Sequence, residues 1–305
     1  MSLIVKMLNL QAELFLLILV GFFLKKRGIV DVKCRKCLSD MLINVILPAN
    51  IVNSFLFGVE MSPEVLKNSA IAIGMGAFIQ VLAINGSKLL FRRYPKAKKS
   101  VMSYGMICSN ATFIGLPLAG ALFGPAGVMY TSIFEIPMRF AMWTSGIALF
   151  GDVDKKDAWR KLAVHPCIVT VFIGFALLAF QVKLPTFAAM TITALSRCTT
   201  PMSMMIIGAI LADADVKGIL TSDVVYFTFL RNIAFPLLIL GFSRLIGFDG
   251  LLMYISVLMT CMPAGSTGSI LADKYGGDAL YAAKIIFVST IFSIFTIPMF
   301  TALIQ

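Results

Sequence analysis

The sequence predicts an all-α polytopic membrane protein of ten transmembrane helices in two inverted five-helix repeats, and three observations carry that reading. Of the 305 residues, 59% are hydrophobic and 13% charged, with a mean hydropathy of +0.93. An ordinary soluble domain is roughly one-quarter charged. Uncharged runs recur at one membrane thickness, about 20 residues per span. Finally, Lys and Arg gather on alternate loops. The apolar runs are continuous rather than alternating with period two, which argues against a closed barrel.

Taken in order, spans are predicted at 3–24, 38–58, 66–90, 100–123, 126–150, 162–182, 187–212, 220–246, 250–272 and 276–302. The first carries Glu13 and no small-residue cleavage site, so it reads as a retained span rather than a signal peptide. Met41–Val59, Asn68–Ser87, Leu162–Val182, Gly250–Ala272 and Ile285–Gln305 contain no charge. Ser100–Phe134 is also uncharged but too long for one span. Gly124-Pro125-Ala126-Gly127 supplies the turn that cuts it in two. The seventh and eighth spans keep their length despite embedded charges. No length remains for a separate soluble domain.

Of the 26 Lys and Arg residues, 18 fall on the loops after the odd-numbered spans and their flanks. The positive-inside rule puts those loops in the cytoplasm, so both termini face outward in a cell membrane. The formal charge of +11 is explained by this asymmetry and needs no nucleic-acid partner. The cluster Arg92–Lys99 suits anionic membrane lipid. Ten spans with an outward start divide into a first repeat at 1–150, a cytoplasmic linker at 151–161 and an inverted repeat at 162–305. Within the linker, Asp154–Arg160 reads as a short interfacial helix.

The halves share weak marks. Asn44…Pro48 in span two corresponds to Arg197…Pro201 in span seven, and Leu122-Phe123-Gly124 to Lys274-Tyr275-Gly276. Mid-span prolines (Pro48, Pro117, Pro201, Pro236, Pro263) remove backbone donors. Membrane helices tolerate single kinks, but breaks at corresponding places in inverted halves point to a midplane transport site.

Four blocks then resemble the auxin efflux carrier family of transporters, which includes plant PIN-type carriers and bacterial malonate and malate permeases. They are Leu47-Pro48-Ala49; Ser109-Asn110 through Gly115-Leu116-Pro117-Leu118, with Ala121–Gly124; Pro201 through Gly208-Ala209; and Met262-Pro263-Ala264 with Leu271–Gly276, Ala282-Ala283 and Ser289-Thr290. The resemblance spans nearly the whole chain. It implies broken helices four and nine crossing at mid-membrane, and a transport domain moving against a scaffold in an elevator-like alternating-access cycle. It implies a secondary transporter of a small organic anion, a mono- or dicarboxylate such as malonate or malate. An efflux carrier for an auxin-like amphipathic weak acid is the alternative. The short linker matches compact bacterial members rather than plant ones.

The residues suggest where such an anion would bind. Gly115, Pro117, Pro263 and Gly265 would free half-helix ends at the crossing, whose positive ends attract anions. Asn110 can donate and accept without formal charge. Embedded cations are Arg139, Arg197, Arg231 and Lys284; embedded acids are Glu13 and Glu135. Arg139 and Arg197 depart from what is typical of the family, and a guanidinium grips a carboxylate through two parallel bonds. Glu135 and Arg139 stand at i and i+4, so an internal salt bridge is the competing reading. Arg231 falls where many members carry a basic residue, which favours structural pairing, and Lys284 is positioned to snorkel.

The expected substrate contacts are therefore Asn110, Arg139, Arg197 and Arg231. Glu13 and Glu135 are candidate proton carriers. No cofactor is expected; a coupling ion, H⁺ or Na⁺, stays open, with Thr112, Ser266, Thr267 and Ser269 as oxygen donors for a cation. A homodimer is compatible with this reading. Enzymes are disfavoured: His165 is the only histidine, and no metal-ligand or triad motif occurs. Cys34-Arg35-Lys36-Cys37 is a lone pair without a second ligand set.

Overall fold

The computed structural model describes residues 3–57, 60–146, 148–151, 160, 163–182, 184–212, 218–265, 267–274 and 277–304. Most of the predicted linker, including all of its interfacial helix at 154–160 except Arg160, lies outside the described residues, as do Ser266, Tyr275 and Gly276. The described residues are helical without strands. In chain order the helices are α1 (Leu3–Lys26), α2 (Val32–Phe57), α3 (Pro63–Leu90), α4 (Lys96–Ile107) and α5 (Ala111–Gly146). They continue as α6 (Pro166–Ala179), α7 (Thr186–Ala212), α8 (Ser222–Leu245), α9 (Leu251–Cys261), α10 (Thr267–Lys274) and α11 (Ala279–Ile304). Six of them (α2, α3, α5, α7, α8 and α11) are long and apolar enough to cross a membrane, while α6 and α9 are shorter apolar helices. Large apolar side chains on their surfaces, such as Leu16, Phe172 and Phe295, are more than half exposed. Such surfaces suit a lipid solvent.

The mid-span prolines act in two ways. Pro48, Pro117 and Pro236 each stand two residues beyond a π-helical turn, at Leu42–Ile46, Ala111–Gly115 and Leu230–Ala234. A proline denies the carbonyl four residues earlier its donor and crowds it, so the helix widens by one residue. The residue before two of these prolines shows the wider ladder: Leu47 N–H bonds Leu42 O, and Phe235 N–H bonds Leu230 O. These prolines therefore bulge their helices without ending them. Pro263 does end one.

Residues 1–69, 112–133 and 164–214 form one compact unit. In it α1 lies directly on α7. An added Cβ at Gly21 would sit 2.0 Å from Met205 O, and one at Gly208 1.9 Å from Ile18 O, so each glycine seats the other helix's backbone. Phe55 of α2 lies over Gly174 of α6 and against the Phe175 ring, centroids 5.0 Å apart. The stretch 112–133 of α5 is a tight helical hairpin. A Cβ at Gly127 would reach Ala119 O at 2.5 Å, which only antiparallel arms allow. The reversal falls at Gly124, with φ 65° and ψ −158°, at the turn read from the sequence. Gly124→Ala is expected to lose about 1–3 kcal/mol, because that backbone region is essentially restricted to glycine. A melting curve in detergent would read the loss.

Residues 70–111, 134–163 and 215–305 form the second unit. Helix α11 is its axis, packed by α4, α8, α9 and α10. Gly76 of α3 admits the carbonyl of Phe134, and Phe78 stacks on Phe242 of α8 at 4.9 Å. Gly105 of α4 admits the ring of Phe227. Near the start of α4, Lys98 pairs with Asp223 at 2.6 Å and lies over the Tyr281 ring.

Candidate functional site

Two interrupted helices meet inside the second unit. Helix α4 ends at Ile107 and α5 begins at Ala111; α9 ends at Cys261 and α10 begins at Thr267. Pro263 explains the second interruption, since the residue before a proline is driven out of helical backbone; Met262 sits at φ −64°, ψ 139°. The first interruption contains no proline. Cys108 leaves the helix at φ −110°, ψ 107°, and the other break holds it there. The Asn110 N–H donates to Pro263 O at 2.8 Å, and the Gly265 N–H to Cys108 O at 2.9 Å. Together they make an antiparallel bridge between Ser109 and Ala264. A Cβ at Gly265 would stand 3.1 Å from Cys108 O, so glycine eases the approach. From α11, Ser289 Oγ accepts the Ala264 N–H at 3.2 Å, while Asn232 of α8 donates to Ser289 O at 2.9 Å. Tyr104 and Thr267 share a hydroxyl–hydroxyl bond of 2.8 Å that ties α4 to the start of α10.

Arg231 lies across the carbonyl side of both breaks. Its Nε donates to Met262 O and its Nη1 to Met106 O, each at 2.9 Å, with the residue only 2% exposed. Those carbonyls end α9 and α4. A helix C-terminus carries about half a negative elementary charge, so two of them together match one guanidinium. Among the described residues, the hydrogen-bond partners of Arg231 are main-chain oxygens rather than an acid.

Arg139 donates from Nη2 to Glu135 Oε2, and the side chains are 4% and 1% exposed. Helical geometry breaks at Glu135 and resumes at Ile136, with Pro137 at its second residue. Next to Arg139, Met138 Sδ accepts a hydrogen bond from Ser109 Oγ at 3.3 Å. The ion pair therefore belongs to a turn seated against the bridge residues. Lys284 reaches the Gly218 carbonyl at 3.1 Å, the backbone contact of a cation near a helix end.

The structure thus gathers Asn110, Pro263, Gly265 and Arg231 at one crossing, with Arg139 and Glu135 on the adjoining turn. Gly115, Pro117, Arg197 and Glu13 lie in the first unit. Gly115 closes a π turn and Pro117 lines a cavity of about 280 Å³ with Asn50, Asn53, Ser54, Ser196 and Thr199. There Ser196 Oγ donates to Asn50 Oδ1 at 2.7 Å. Arg197 and Glu13 are exposed. Sequence reasoning missed the roles of Cys108, Ser109 and Ala264, because they act through backbone groups that leave no mark in residue type. At the crossing the bridge leads towards the N-terminal end of α10, which carries partial positive charge, and Arg231 covers the C-terminal ends of α4 and α9. This polarity can hold an anion.

An all-helical chain whose interrupted helices meet at a buried crossing is built as a membrane transport protein. The family described as "Membrane transport protein" matches residues 7–158 and 153–301. The chain belongs to that family, the auxin efflux carriers. It is 27% identical over 297 residues to an uncharacterized transporter of Methanocaldococcus jannaschii, covering 93% of this chain and 94% of the relative. An uncharacterized transporter of Methanothermobacter thermautotrophicus is 23% identical, with 96% of each chain covered. A Rhizobium meliloti protein named "Putative malonate transporter" is 24% identical over 221 residues, 68% of each chain.

Proposed function

We propose that the chain is a secondary transporter of a small organic anion, a mono- or dicarboxylate such as malonate, working by elevator-like alternating access. In this proposal ten spans form two inverted five-helix repeats, 1–150 and 162–305 joined by the linker, with both termini outside the cytoplasm of a cell membrane. The observation that carries the reading is the crossing, where the breaks at Cys108–Asn110 and Met262–Gly265 join through two main-chain hydrogen bonds. A site made of half-helix ends binds anions without permanent charge, so it can also release them. The second unit holds both bridged breaks, Cys108–Asn110 and Met262–Gly265, together with Arg139, so a displacement of that unit would carry them with it. The relative named for malonate supports the carboxylate class.

One carboxyl group of the substrate sits at the N-terminal end of α10 beside Asn110, and Arg139 binds a carboxylate through its paired N–H groups. Thermal shift of the purified protein tests this against a panel of carboxylates, amines and indole acids. A short carboxylate at 100 times its Kd is expected to add about 2.7 kcal/mol. Arg139→Gln should abolish that gain, and a loss in Arg197→Gln as well would add Arg197 to the site. Stabilisation by indole acids alone, unchanged in Arg139→Gln, would replace this reading with the weak-acid efflux one. A response to amines alone would sink it.

A further inference from the structure

We infer that the cavity inside the first unit is a second carboxylate site, built from uncharged hydrogen-bond donors and separate from the crossing. The choice of malonate as its probe rests on the carboxylate reading above, whereas the donor set is read from the cavity itself. The lining residues come from α2, the α5 hairpin and α7, and all belong to that unit.

The observation that points to a ligand is Thr199. The residue lines the cavity, is only 2% exposed, and its Oγ1 has no hydrogen-bond partner among the described residues. A buried hydroxyl left unbonded is costly, so it is kept where something outside the chain completes it. The two amides beside it are engaged on one side only. Ser196 Oγ donates to Asn50 Oδ1 at 2.7 Å, and Thr193 Oγ1 donates to Asn53 Oδ1 at 2.9 Å. These α7 hydroxyls take the amide oxygens and leave both Nδ2 groups without a partner among the described residues. Ser54 Oγ has already given its hydrogen to Ile51 O at 2.6 Å. The side-chain hydrogens of Asn50, Asn53 and Thr199 therefore remain to be used.

An ionised carboxylate is acceptor-only, the complement of such a set, and bonds to it are about twice as strong as neutral ones. A metal cation would instead find the amide oxygens engaged and no acidic side chain among the described lining residues. At Gly124 the C-terminal end of one hairpin arm meets the N-terminal end of the other. Their partial charges oppose each other, so the side chains decide the sign of the ligand. The described lining also has no guanidinium or ammonium. The cavity thus binds more weakly than Arg139 does, and it stays largely empty at concentrations that fill the crossing.

The test is the melting temperature of the full-length protein in detergent, titrated with malonate at constant ionic strength. Arg139→Gln silences the crossing, and its melting temperature should rise only at malonate concentrations about tenfold or more above those that saturate wild type. Adding Thr199→Val, which keeps the shape and removes the hydroxyl, should require about tenfold more malonate for the same rise. Without ligand it should melt no lower than its parent, since the hydroxyl has no bond within the chain to lose. Thr199→Ser should keep the response, and Asn50→Asp, which sets a negative charge among the donors, should abolish it. In wild type the cavity should give a second, weaker step that Thr199→Val removes, which decides the matter if Arg139→Gln does not fold.

An unchanged malonate response in Thr199→Val would leave the hydroxyl to water and overturn the inference. A lower melting temperature of ligand-free Thr199→Val would make the hydroxyl a structural support and overturn it as well. If wild type responds in a single step and Arg139→Gln at no concentration, the second site falls and the crossing stands. A wild-type response that depends on Thr199 and not on Arg139 would support this site and overturn the one at the crossing. No response of wild type to malonate or any other carboxylate would overturn both.

Discussion

Arg231→Met is expected to destabilise the second unit by about 3–6 kcal/mol, since two charge-assisted hydrogen bonds are worth about 1.5–3 kcal/mol each. The methionine fills most of the volume, so the loss isolates the polar contribution. Met106 O and Met262 O, which Arg231 binds at 2.9 Å, would face each other without a donor in a water-free interior. Two negative helix ends would also lie close together uncompensated. Arg231→Lys keeps the charge but replaces the planar fork by a single ammonium, so it should recover part of the loss. The readout is the melting temperature in detergent, together with binding of a carboxylate probe. If Arg231→Met melted like wild type and bound malonate normally, the two breaks would be held by their own bridge alone.

The second large effect lies at the seam between α1 and α7. Gly21→Ala or Gly208→Ala places a methyl group 2.0 or 1.9 Å from a backbone carbonyl of the other helix. No rotamer relieves that overlap, because the obstacle is main chain; one helix must move. Overpacking of this kind costs about 1–3 kcal/mol even against side chains, and a main-chain clash should reach the top of that range or beyond. Gly74→Ala and Gly241→Ala are the controls. Both lie within helices with nothing inside 4 Å of the added atom, and alanine is the better helix former by about 1 kcal/mol. The controls should therefore hold or raise the melting temperature while the seam variants lower it. Equal behaviour of all four would mean that α1 does not seat on α7 in the membrane.

Much of the fold was legible because the bilayer imposes a length and a polarity on every span. The uncharged runs located most of the helices, and Gly124-Pro125 located the hairpin turn within a stretch that hydropathy alone leaves undivided. The site was legible only where a side chain does the work. Pro263 announced one break, and Glu135 with Arg139 announced an ion pair by spacing. The matching break at Cys108–Asn110 has no such mark: its extended backbone is imposed by residues that arrive from far along the chain. The sequence had suggested Pro117 as the proline breaking helix four, but the π turn at Ala111–Gly115 absorbs it, and one widened turn cannot be distinguished from a break by residue type. Arg231 was visible as a buried cation, yet its ligands are carbonyls, which every residue possesses.

The bridge between Ser109 and Ala264 also sets a timetable for biosynthesis. Half the chain separates its two sides, so when the Cys108–Asn110 break emerges, its partner has not been made. Until Met262–Gly265 follows, the Cys108 carbonyl and the Asn110 amide have no main-chain mate in an environment where water is scarce. A ribosome stalled before Met262 would leave Arg231 with one of its two carbonyls. Such nascent chains should be recognised by membrane quality control, and completion of α9 and α10 should release them.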